Sequence, residues 1–128
     1  MNRDFWLVKI WENGTCFDLW SLNHFLTGFL LGYISAFIGL NFWFAFSAAL
    51  FLMVLWEIYE RLKSQTQEHI CNKFVDVALG AAGFAFSWKF LFVRLDPRLS
   101  VIVLSVSALV FIILELWGLS GYRERQKK

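Results

Sequence analysis

Four ionisable residues, His24, Glu57, Glu60 and Asp76, lie in or beside stretches of this 128-residue chain that are otherwise strongly apolar. The two glutamates close the run FLMVLWEIYERLKS at residues 51–64. An imidazole among carboxylates has a short list of chemistries. It can carry a proton, because histidine titrates near neutrality. It can act as a general base while a carboxylate orients it. The set can also ligate a divalent metal, Zn2+, Mn2+ or Mg2+. His24, Glu57, Glu60 and Asp76 are therefore the candidate catalytic and metal-ligating residues, with His24 as base or ligand and the carboxylates as proton or metal carriers.

The surrounding sequence makes the four residues expensive. The chain is 59% hydrophobic and 20% aromatic, with mean hydropathy +0.57 and a single proline. Its apolar residues come in long blocks, which indicates an all-α, polytopic membrane protein rather than a soluble domain. A helix needs about 20 residues to cross the hydrocarbon core. Four spans are predicted, over residues 19–40, 42–62, 74–93 and 99–119, forming a transmembrane four-helix bundle in one domain, 1–128. Asn41 and Asp96-Pro97 mark the turns of two tight hairpins. Residues 1–18 form an interfacial segment around FWLVKIW, and 120–128 a basic tail. Asn13-Gly14-Thr15 fits a glycosylation sequon but reads more simply as a turn. Trp20, Trp43, Trp56, Trp88 and Trp117 fall near span ends, where aromatic belts form. No P-loop, dinucleotide fingerprint, HExxH or serine-nucleophile motif occurs, and nothing points to nucleic acid.

Can the second helix stop before Glu57? Phe42 to Trp56 is 15 residues, about 22 Å at about 1.5 Å per residue, too short for the bilayer. Glu57 and Glu60 must then lie within the membrane or at its boundary. At mid-bilayer a charge costs roughly 2.5–3.5 kcal/mol on insertion scales. Two carboxylates three residues apart do not both stay ionised in such a place without a proton, a cation or a basic partner. His24, Asp76 and Glu115 lie at the same depth on the other helices, bordered by Asn23, Gln67 and Asn72. Helical spacing aims them inward. His24, Gly28 and Gly32 recur every four residues, Asp76 leads to Gly80 and Gly83, and Glu57 continues the row Ala45, Ala49, Met53. Small residues at such spacings let membrane helices pack closely. The competing reading is interfacial snorkelling of the carboxylates beside Arg61, Lys63 and Lys73. Glu115 could face the headgroups, His69 reads as a loop residue, and Lys89 snorkels outward.

Nine of the twelve Lys and Arg residues fall on the side of the termini and of the second connection, leaving Lys89, Arg94 and Arg98 opposite. The positive-inside rule then predicts an inner-membrane protein with both termini cytoplasmic. Cys16 and Cys71 share that side, where a stable disulfide is not expected. With the reverse topology they could pair across the mouth of the polar centre.

SLNHFLTGFLLGY, WEIYE, NKFVDVALGAAG and LELWG resemble a family of bacterial integral membrane proteins of unknown function. Its segments are Ser-x-x-His-x-x-x-Gly, Trp-Glu-x-x-Glu and Asn-x-x-x-Asp, and the match runs from Trp11 to about Tyr122. The pattern is also remotely similar to VanZ-like proteins, which are linked to glycopeptide resistance. The resemblance implies a characteristic set of Ser21, His24, Gly28, Trp56, Glu57, Glu60, Asn72, Asp76 and Gly80, and implies no established reaction. The expected function is a small membrane protein whose polar centre binds or acts on a lipid or envelope amphiphile. The alternative is a non-catalytic accessory subunit, or homo-oligomer, docking through its glycine faces. Ion translocation fits less well, because the charges occupy one layer.

Overall fold

The computed structural model describes residues 16–63 and 70–126. The expectations for the segment 1–15, for Asn13-Gly14-Thr15, and for Gln67 and His69 lie outside the described residues. Four α-helices follow one another: α1 (Leu19–Phe37), α2 (Phe42–Lys63), α3 (Ile70–Phe86) and α4 (Pro97–Gln126), with a π-helical turn, Ser87–Phe92, extending α3. The architecture is the all-α four-helix arrangement expected. Three of the helical stretches, Phe42–Leu62, Ile70–Lys89 and Pro97–Gly121, are long and apolar enough to cross a membrane, which points to a membrane protein. α1 ends three residues before the expected boundary at residue 40, and at 19 residues it is shorter than these three.

Short polar residues set the helix boundaries. Asp18 caps α1: its Oδ1 accepts from the Ser21 backbone N–H at 3.0 Å, while Ser21 Oγ accepts from the Asp18 backbone N–H at 3.3 Å. This is a reciprocal capping box with serine in the third position. At the other end of α1, Gly39 adopts φ 75°. The Leu40 and Gly39 amides return to the Ser35 and Ala36 carbonyls, the pattern of a Schellman stop. Asn41 Oδ1 then caps α2 by accepting from Trp43 and Phe44. Asp96 Oδ1 does the same for Arg98 and Leu99 at the start of α4, with Pro97 in the first turn. Both expected hairpin turns are therefore side-chain-capped. α4 continues through the basic segment to Gln126 instead of ending at 119, and α3 begins one turn earlier than residue 74.

α1 packs most extensively against α3, and glycine is the reason. A Cβ on Gly28 would strike the Gly80 carbonyl, one on Gly83 the Phe25 carbonyl, and one on Gly32 the Phe84 backbone and the Ser87 hydroxyl. The two backbones meet where no side chain fits. Behind them Ala45, Ala49 and Met53 of α2 pack on the fully buried Phe84. Phe42, Phe46, Phe84 and Trp88 stack and cross edge-to-face around it. α4 contributes little to this core, and most of its apolar side chains face outward.

Gly28→Ala is expected to lower stability by about 1–3 kcal/mol, the usual range for overpacking a close contact. Gly39→Ala should also destabilise, but through its positive φ and not through crowding, since nothing lies within 4 Å of its Cβ position. Thermal unfolding in detergent measures both. An unchanged midpoint for Gly28→Ala would mean that the α1–α3 contact is looser than described.

Candidate functional site

The three small-residue rows carry His24, Glu57 and Asp76 into one place. Glu57 sits one helical turn below Met53 on the face that continues Ala45 and Ala49, and it is 7% exposed. Asp76 precedes Gly80 on the α3 face against α1 and is 3% exposed. His24 precedes Gly28 on the opposing α1 face. Its Nε2 lies 3.4 Å from Glu57 Oε1 and 3.7 Å from Asp76 Oδ2. One donor atom from each of the three residues falls within 4.8 Å of the other two, so these three can hold a metal ion. Lys73, one turn before Asp76 on α3, places Nζ 3.9 Å from Glu57 Oε2.

Glu60 is not part of this triad. Three residues advance a helix by about 300°, so its side chain leaves α2 about 60° away from that of Glu57. It lines the cleft that His24 and Asp76 also line, so Glu60 shares that space without belonging to the three-residue donor cluster.

The cleft has a volume of about 820 Å³ and receives side chains from all four helices. Its polar end carries Asp18, Asn23, His24, Glu60, Asn72, Asp76 and Glu115, and its apolar walls include Leu31, Leu52, Met53 and Phe111. Two hydrogen bonds cross between helices there. Asn23 Nδ2 donates to Glu115 Oε1 at 3.2 Å, and Asn72 Nδ2 donates to Asp18 Oδ2 at 3.3 Å. Asn23 and Asn72 thus hydrogen-bond across the polar layer as expected, and Glu115 lines the cleft. Asp18 was missed. Its position three residues before Ser21 in a possible capping box was the available signal, but nothing in the sequence showed that its second oxygen would reach α3.

The largest departure concerns the cysteines. Cys16 and Cys71 are joined in a disulfide. The expectation against it rested on a cytoplasmic placement of that end, not on geometry. The glycine contact holds α1 and α3 side by side, which brings their first turns within bonding reach. The bond stands beside the Asp18–Asn72 hydrogen bond, so the mouth of the cleft is tied twice between the same two helices.

No family model, curated protein or solved structure matches this chain.

A double-mutant cycle tests whether the triad acts as a unit. Glu57→Gln and Asp76→Asn, singly and together, should show a coupling energy of about 0.5–3 kcal/mol, as residues sharing a network do. Either sign is informative, because neutralising one carboxylate relieves repulsion with the other. Additivity within about 0.3 kcal/mol in thermal unfolding would show that the two carboxylates do not sense each other.

Proposed function

We propose that the protein binds, through this cleft, a membrane amphiphile whose headgroup carries a cationic group. The observation that carries the reading is the distribution of side chains around the cleft. The polar and ionisable side chains cluster at the start of α1 and α3 and the end of α2 and α4, while Leu31, Leu52, Met53 and Phe111 line the cleft further along the helices, an arrangement that suits a headgroup with an acyl chain. Among the described lining residues four are carboxylates, Asp18, Glu60, Asp76 and Glu115, and none is lysine or arginine. In a low-dielectric site an ammonium is the complement of such a set. A catalytic use of His24 as base would be built on the same geometry.

The accessory-subunit alternative relied on glycine faces free to dock on a partner. Gly28, Gly32, Gly80 and Gly83 are buried between α1 and α3, so these glycine faces are already occupied within the chain.

Two observations bear on orientation. The Lys and Arg bias supports cytoplasmic termini in a bacterial inner membrane. The Cys16–Cys71 bond favours a second reading, in which that end faces an oxidising compartment. On the first orientation a reporter fused after Lys128 is active in the cytoplasm, and both thiols react with a maleimide before reduction. An external signal, with the thiols protected until reduction, establishes the second.

Trp20 and Trp56 line the cleft and serve as probes of occupancy. Brominated phosphatidylethanolamine in mixed micelles should quench them at lower concentration than brominated phosphatidylglycerol. Glu60→Gln with Glu115→Gln should remove that preference, by roughly tenfold in apparent affinity for each 1.4 kcal/mol of lost charge pairing. Equal quenching by both lipids, unchanged in the variant, would exclude recognition of a cationic headgroup.

A further inference from the structure

We propose that His24, Glu57 and Asp76 are the protein ligands of a Zn2+ site at the polar end of the cleft. The inference rests on donor geometry and charge, and it goes beyond the amphiphile reading.

Distance is the first argument. A charge-assisted N–H···O hydrogen bond measures about 2.7–2.9 Å. His24 Nε2 stands 3.4 Å and 3.7 Å from its two carboxylate neighbours, too far for that bond. Ligands held about 2.0–2.1 Å from a tetrahedral zinc are about 3.3–3.4 Å from one another. The two observed separations are close to the edges of such a tetrahedron. The remaining edge is no longer than 4.8 Å, and a turn of a carboxylate about its soft terminal torsion shortens it.

Charge is the second. Two carboxylates with a neutral imidazole carry a charge of about −2, in a place where uncompensated charge is costly. A divalent cation cancels it, which the ammonium of Lys73, the cation paired with Glu57 among the described residues, does not do alone. Lys73 lies instead against Glu57 Oε2, leaving Oε1 toward His24. An outer partner on the second oxygen is the usual way a ligating carboxylate is oriented. The imidazole favours zinc over magnesium, which prefers oxygen donors and retained water.

Asn23 supplies a third, independent observation. It is 3% exposed, lines the cleft next to His24 in sequence, and its Oδ1 has no hydrogen-bond partner among the described residues. A buried acceptor in that state calls for a donor. Three protein ligands leave a fourth position for water or an anionic oxygen, and Asn23 Oδ1 can accept from a water held there. With the cation in place, the cleft also carries the carboxylates of Glu60 and Glu115. The combined site then suits a zwitterionic headgroup, with its anionic oxygen at the metal.

The test needs no lipid. The protein is purified in detergent, stripped with chelator, equilibrated with ZnCl2, desalted and analysed for metal by mass spectrometry. About one zinc per chain is expected, with at least a tenfold loss in His24→Ala and Asp76→Asn and none in Arg98→Gln at the opposite end. Zinc should raise the unfolding midpoint of the unsubstituted protein, as a ligand of the folded state does. Should the variants fail to fold, Co2+ loaded into the unsubstituted protein must show the visible absorption of a tetrahedral site and lose it to added zinc. Less than about a tenth of an ion per chain, stoichiometric zinc retained by His24→Ala, or cobalt without a tetrahedral spectrum would each overturn the site. Lipid quenching with metal-free protein tests the amphiphile reading separately, so either can fail alone.

Discussion

The contact of the α1 backbone with the α3 backbone sets the position of everything else in this protein. At Gly28, Gly32 and Gly83 the two helices approach until a Cβ would strike the neighbour's main chain, and at Gly80 it would strike Met53 of α2. Such an approach fixes depth as well as distance, because a glycine can stand opposite a carbonyl in only one register. His24 and Asp76 each lie one turn from a glycine in that contact, so the register that seats the glycines also seats the imidazole beside the carboxylate. Met53, pressed against Gly80, transmits the same register to α2 and so to Glu57.

Charge balance then follows from position. Buried carboxylates brought together by packing are costly unless a proton, a cation or hydrogen bonds compensate them. Among the described residues, Lys73 approaches Glu57, and asparagines serve the flanking carboxylates Glu115 and Asp18. The asparagines add hydrogen bonds without adding charge.

Most of the fold was legible because it follows from spacing. Rows of alanine and glycine at four-residue intervals, ending in an ionisable residue, give the inward face of each helix without reference to any other helix. Asn41 and Asp96-Pro97 likewise announce their turns locally. What was not legible depends on contacts between helices. Asp18 reads as a cap for its own helix, and only the α1–α3 contact gives its second oxygen to Asn72. The disulfide was discounted on compartment, and Cys16 and Cys71 are 55 residues apart in sequence, so only the tertiary contact reveals their adjacency. The start of α3 a turn early has the same origin, because Cys71 and Asn72 are held by partners on α1.

The donors are also ordered along the chain in a way that bears on how the protein is made. His24, Glu57 and Asp76 belong to the first three helices, and the disulfide joins the entry of the first to the entry of the third. Nothing in the triad waits for α4, which contributes Phe111, Glu115 and Leu119 to the cleft wall and little to the core. During synthesis the polar centre can therefore be complete while the last helix is still leaving the ribosome. Docking of that helix then converts an open three-helix groove into a walled cleft. Biogenesis separates two events that the finished molecule shows together, the assembly of the charges and the enclosure of the space beside them.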